Sequence, residues 1–155
     1  SGLNVSYIDL GDTARIAGSI LLANRFESQN RSHAFNATVW DGGNGFMGIP
    51  TVIREEDSNR YYWRSDNSQV SFLSFDPAGA LADIGQISPT KHDGDEPPGY
   101  SCEVSCVDWY GNARPIFIEQ MAYALMGTEL VEARPAADRI EVLRRLLLTK
   151  PDAAD

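Results

Sequence analysis

Two short acidic clusters, Glu55-Glu56-Asp57 and Asp93, Asp95 and Glu96, are the first residues whose types and spacing invite chemistry. Neighbouring carboxylates can divide acid and base roles, because like charges push their pKa values apart. Three consecutive carboxylates in a turn, flanked by Arg54 and Arg60, read more simply as a solvated patch. Asp93-Gly-Asp-Glu96 starts like a calcium loop, but the central glycine and the bidentate Glu at the twelfth position are not in place. Both clusters therefore predict attraction to a cationic surface, where complementary charge speeds encounter and adds specificity.

The other candidates are sparse. His33 and His92 are the only histidines, and neither has a metal-ligand spacing to Cys, Asp or Glu. Cys102 and Cys106 alternate with polar residues in a predicted strand, where four residues span about 13 Å, too far for a disulfide. They read as buried reduced thiols, and with only two histidines the options for a Ser-His or Cys-His arrangement are few, Cys102 or Cys106 with His33 or His92 among them. No serine lies in a G-x-S-x-G elbow. Gly43-Asn-Gly-Phe-Met-Gly48 has the spelling of a dinucleotide loop, yet a strand-like Ile49-Pro-Thr-Val-Ile53 follows where a helix N-terminus must hold the pyrophosphate, so a hairpin turn is expected. Trp40, Tyr61, Tyr62, Trp63 and Trp109 could line a ligand pocket, with Arg64 or Glu119 orienting the ligand. The same rings would serve equally as a homodimer interface.

The elements that must position these residues read as α+β. Four short strands, 34–40, 46–53, 60–64 and 70–75, form an antiparallel meander separated by Gly-, Asn-, Asp- and Ser-rich turns. In the first of them Phe35, Ala37 and Val39 are expected to face inward, and in the last Leu73 and Phe75 load a second covered face. An opening strand is expected at 4–10 and a further one at 100–110. Helices are expected over 13–27, capped by Asp12 with Ile16, Ile20, Ala23 and Phe26 as its stripe, and over 77–83, 115–126 and 135–149. Gly18 inside the first of these implies a close neighbour. Segment 128–134 fits either a helix extension or an edge strand. The result is a largely antiparallel five- to six-stranded sheet, the meander plus strand 100–110, with three main helices packed on it, as one domain over 1–155 with an exposed loop at 88–99 and a frayed tail at 152–155.

Composition narrows the partners. Thirteen basic against twenty-two acidic side chains give a net charge of −9, which opposes nucleic acid because phosphate contacts supply most non-specific affinity. No apolar run approaches the roughly 20 residues of a membrane helix, and the first residues lack a basic-then-apolar signal segment. Eleven of the thirteen basic residues are Arg, a weak sign of a GC-rich bacterial coding sequence. The expectation is a small acidic cytoplasmic binding protein without cofactor or metal. It would be an immunity protein or inhibitor for a basic toxin, or a secretion-type chaperone, binding through Glu55, Glu56, Asp57, Asp93, Asp95 and Glu96. A ligand-binding protein or enzyme with its aromatic pocket between sheet and helices is the alternative.

Overall fold

The computed structural model describes residues 1–27, 35–53, 68–90, 113–127 and 129–148. They form strands almost throughout: β1 (Gly2–Asp9), β2 (Arg15–Ala23), β3 (Arg25–Glu27), β4 (Asn36–Val39), β5 (Gly45–Ile53), β6 (Ser68–Phe75), β7 (Leu81–Ile87), β8 (Ala113–Ile118), β9 (Met121–Met126), β10 (Glu129–Pro135) and β11 (Ile140–Leu147). Every pairing is antiparallel. A β1–β2 hairpin, a central sheet in the order β3-β5-β6-β7 with β4 also on β5, and a β8–β11 meander make three sheets.

The central sheet is covered on both faces, and β6 shows why. Val70 and Phe72 point to one side, into a core shared with Ala122, Ala124, Met126, Val131 and Ala133 of the meander. Leu73 points to the other, against Ile49 and Leu22, with Leu3, Val5 and Ile20 of the hairpin around them. Phe72 and Leu73 are both fully buried, and the burial of each contributes about 1.5–3 kcal/mol. The expected double-faced loading of this strand is thus observed, with a β-hairpin as the second cover. Pro50 is buried inside β5, where a missing N–H is usually costly. On that edge β3 pairs only with 51–53 and β4 with 45–48, so among the described residues Pro50 falls in the gap between them.

Among the described residues the expected helices are absent, and the α+β assignment is corrected to a nearly all-sheet architecture. Residues 13–27 form β2 and β3 because Ile20 and Leu22 alternate onto the central sheet while β1 supplies the backbone partners. Gly18 does have its close neighbour: a Cβ there would overlap the Gly79 carbonyl oxygen, where the hairpin crosses the β6–β7 turn. Asp76 caps, but in a turn: its Oδ1 accepts from Ala80 N–H at 2.9 Å, and Gly79 at φ +89° sends the chain back as β7 instead of into a helix over 77–83. The 115–126 stripe becomes a hairpin turning at Glu119, φ +53°, because Ala122, Ala124 and Met126 form an inward face of period two. The ambiguous 128–134 becomes β10, flanked by β9 and β11, and 135–149 becomes the end of β10 and all of β11. The meander strands at 36–39, 45–53 and 68–75 stand, as does the first strand. The inward face of β4 does not: Phe35 and Val39 are 52% and 64% exposed, because β4 lies on the edge of the central sheet and its Asn36 and Thr38 sit opposite Gly48 and Phe46 on the core-facing side.

Candidate functional site

Glu55, Glu56, Asp57, Asp93, Asp95 and Glu96 lie outside the described residues, as do Tyr61, Tyr62, Trp63, Arg64, Trp109, His33, His92, Cys102, Cys106 and the strands expected at 60–64 and 100–110. Trp40 alone of the aromatic set is described. It packs on the edge of the main core with its ring 4.6 Å from that of Phe46 at 62°, and its buried indole N–H has no acceptor among the described residues. A groove between sheet and helices has no helix to form its second wall among the described residues. Glu119, the other ligand-orienting candidate, is exposed at the β8–β9 turn. The glycine-rich 43–48 is the expected hairpin: a 3-10 turn at Asp41–Gly43 joins β4 to β5, with Gly42 and Gly43 at φ +83° and +80°.

The roots of the two acidic segments are nevertheless placed. β5 ends at Ile53 and β6 begins at Ser68, while Ile87 at the end of β7 pairs with Val70. Segments 54–67 and 91–112 therefore both leave from one end of the central sheet. The second root is clamped. The Glu129 carboxylate accepts from Thr90 N–H at 2.9 Å and from the Thr90 hydroxyl at 2.7 Å, and Arg145 bridges it at 3.2 Å while donating to the Ser88 carbonyl at 3.1 Å. Partial burial works to raise the Glu129 pKa, but the Thr90 bonds and the Arg145 charge outweigh it and hold the carboxyl below the usual range.

A polar cluster on the hairpin-facing side of the central sheet carried no signal in motif form. Thr51 Oγ1 and Ser71 Oγ share a 2.7 Å hydrogen bond, Arg25 donates to Ser71 Oγ at 3.3 Å, and its guanidinium reaches Asp83 at 2.8 Å. Asp83 also accepts from the Gly85 N–H at 3.0 Å. Beside Thr51 in register, Gln69 is 1% exposed and neither amide atom has a partner among the described residues. The polar alternation of Gln69 and Ser71 against Val70 and Phe72 was the available clue. With its guanidinium neutralised by Asp83, the group ties β3, β6 and β7 together across the sheet and offers hydrogen bonds without an evident proton-transfer partner. No group of three or more His, Cys, Asp or Glu among the described residues is placed to hold a metal ion. No described helix is long and apolar enough to cross a membrane.

Exposed apolar side chains concentrate in two places. Ile8, Leu10 and Ile16 project around the β1–β2 turn, and β11 exposes Val142, Leu143, Leu146 and Leu147 at 40–55%. In register across the outer face of the meander run Arg114, Leu125, Leu130 and Leu146, then Ile116, Tyr123, Glu132 and Arg144. Tyr123 donates to Glu132 at 3.2 Å, and Arg144 pairs with the same carboxylate. Desolvation first, then the Glu132 charge, raise the Tyr123 hydroxyl pKa. No known protein family matches the chain, and no curated protein or solved structure does so either.

Proposed function

We propose that this is a protein-binding module that caps a basic partner, in the manner of an immunity protein, a toxin inhibitor or a secretion chaperone, and that it works in the cytoplasm. Its contact carboxylates are Glu55, Glu56 and Asp57 with Asp93, Asp95 and Glu96. The observation that supports this is the common origin of the two acidic segments at one end of a sheet held from both faces, in a chain of net charge −9. A rigid scaffold that presents charged loops together concentrates their field on one surface, felt within a Debye length of about 8 Å at physiological salt. The Glu129–Thr90–Arg145 clamp holds Thr90, the last described residue before the second acidic segment.

Affinity capture from the native host supplies the partner, and its association rate is then measured from about 50 to 500 mM salt. Reversing the charges of Glu55, Glu56 and Asp57 to Lys slows association about tenfold or more at low salt and flattens the salt dependence, with an unchanged circular dichroism spectrum. A partner bound with no salt dependence, or turnover of a small molecule by the purified protein, would overturn the proposal.

A further inference from the structure

β11 is an edge strand whose exposed side carries its own complement, and we infer that it pairs with β11 of a second copy. Among the described residues β11 pairs only with β10. Arg144 lies opposite Glu132 and Val142 opposite Ala133, so Leu143 is an extra residue, a β-bulge in β11. Opposed residues share a face, so the bulge puts Arg144 and Glu141, opposite Glu132 and Arg134, on the same outer face although they are three apart in sequence. In an unbulged strand that spacing would place them on opposite faces.

This parity selects one antiparallel self-pairing. With the twofold axis between Val142 and Leu143, Glu141 falls opposite Arg144 of the second copy, twice, and Val142 falls opposite Leu143, while Glu141 and Arg144 share the outer face and Ile140 and Arg145 the inner one. Offsets that centre Arg144 or Arg145 on the axis set like charges against each other. The charges join existing pairs, Arg134–Glu141 at 3.8 Å and Glu132–Arg144, into two four-membered networks related by the axis. Val142 and Leu143, 42% and 40% exposed, are covered at its centre.

A bulge and two arginines normally blunt an edge against stray strands. Here they reject any strand that does not bring a carboxylate at this spacing, which a second copy does. Six paired residues a side make an interface well below about 1,200 Å², so the dimer is reversible, in the micromolar range. Its test needs no other partner.

Sedimentation equilibrium of the wild-type protein should show a monomer–dimer equilibrium at concentrations from about 1 μM to 1 mM. Glu141→Arg alone and Arg144→Glu alone each place like charges opposite one another and weaken dimerisation at least tenfold, while melting curves confirm that both variants fold. An equimolar mixture of the two variants restores opposite charges at both positions and forms a heterodimer with near-wild-type affinity. A wild-type protein that stays monomeric to about 1 mM, single variants that dimerise as well as wild type, or a mixture that fails to associate would each overturn the inference.

Discussion

Gly48→Ala probes the packing of the central sheet on the meander at its tightest point. Gly48 lies opposite Phe72 on the core-facing side of β5, and a Cβ there would overlap Pro115 Cβ of β8, with Pro115 Cγ at 3.0 Å and Phe72 Cε1 at 3.1 Å. Carbon atoms settle at about 3.5–4.0 Å, so the two sheets would have to part locally by roughly 1 Å or more. Pro115 is a rigid ring and cannot swing aside. Overpacking of this kind costs about 1–3 kcal/mol even after the stiffer unfolded chain of an alanine variant returns about 0.4–1 kcal/mol. For a chain of this size each kcal/mol moves Tm by about 2–4 °C, so a drop of about 2–12 °C is expected. Urea unfolding should show a lower midpoint with an unchanged slope. Gly11→Ala is the control, since the nearest atom to its Cβ is Asp9 Oδ1 at 3.5 Å and the change should stay within about 0.5 kcal/mol of zero. Removing the obstacle with Pro115→Gly should reduce the cost of Gly48→Ala by at least about 1 kcal/mol. If Gly48→Ala is as stable as wild type, the two sheets do not meet there and the layered packing is wrong.

Two further outcomes follow from single groups. Gln69→Met replaces a buried amide without a partner among the described residues with an apolar side chain of similar volume, and should raise stability in urea by about 1–2 kcal/mol; a loss of that size would mean that the amide is satisfied. Glu129 has a lowered folded pKa, so its stabilisation is complete above the unfolded carboxylate value of 4.5 and is lost as pH falls through the folded one. The stability gap between wild type and Glu129→Gln should therefore be constant near neutrality and close below pH 4.5, and a gap that widens on acidification would contradict the clamp.

What the sequence determined by itself is what short-range chemistry controls. The turn at Asp41-Gly-Gly reverses the chain where expected, and Asp76 accepts a backbone N–H as expected although in a turn instead of at a helix start, because glycine at positive φ and an Asp acceptor act within a few residues. The strand character of 46–53 and 70–75 followed from β-branched and aromatic density, and net charge is additive whatever the fold. Only tertiary structure decided the rest. Met121-Ala-Tyr-Ala-Leu-Met126 and Ile140-Glu-Val-Leu-Arg-Arg-Leu-Leu147 are apolar at spacings of both two and three to four, and leucine, alanine and arginine favour helices. What turned them into strands is a neighbour: each supplies the backbone partners of the next, and β8 is packed on Phe72 and Gly48 from a distant part of the chain. Propensity is worth tenths of a kcal/mol per residue, about an order of magnitude less than burying one such side chain in a shared core, so long-range pairing prevailed. The clamp on Thr90 and the matched faces of Glu141 and Arg144 were hidden for the same reason, since one joins residues 39 apart and the other depends on a bulge that exists only against β10.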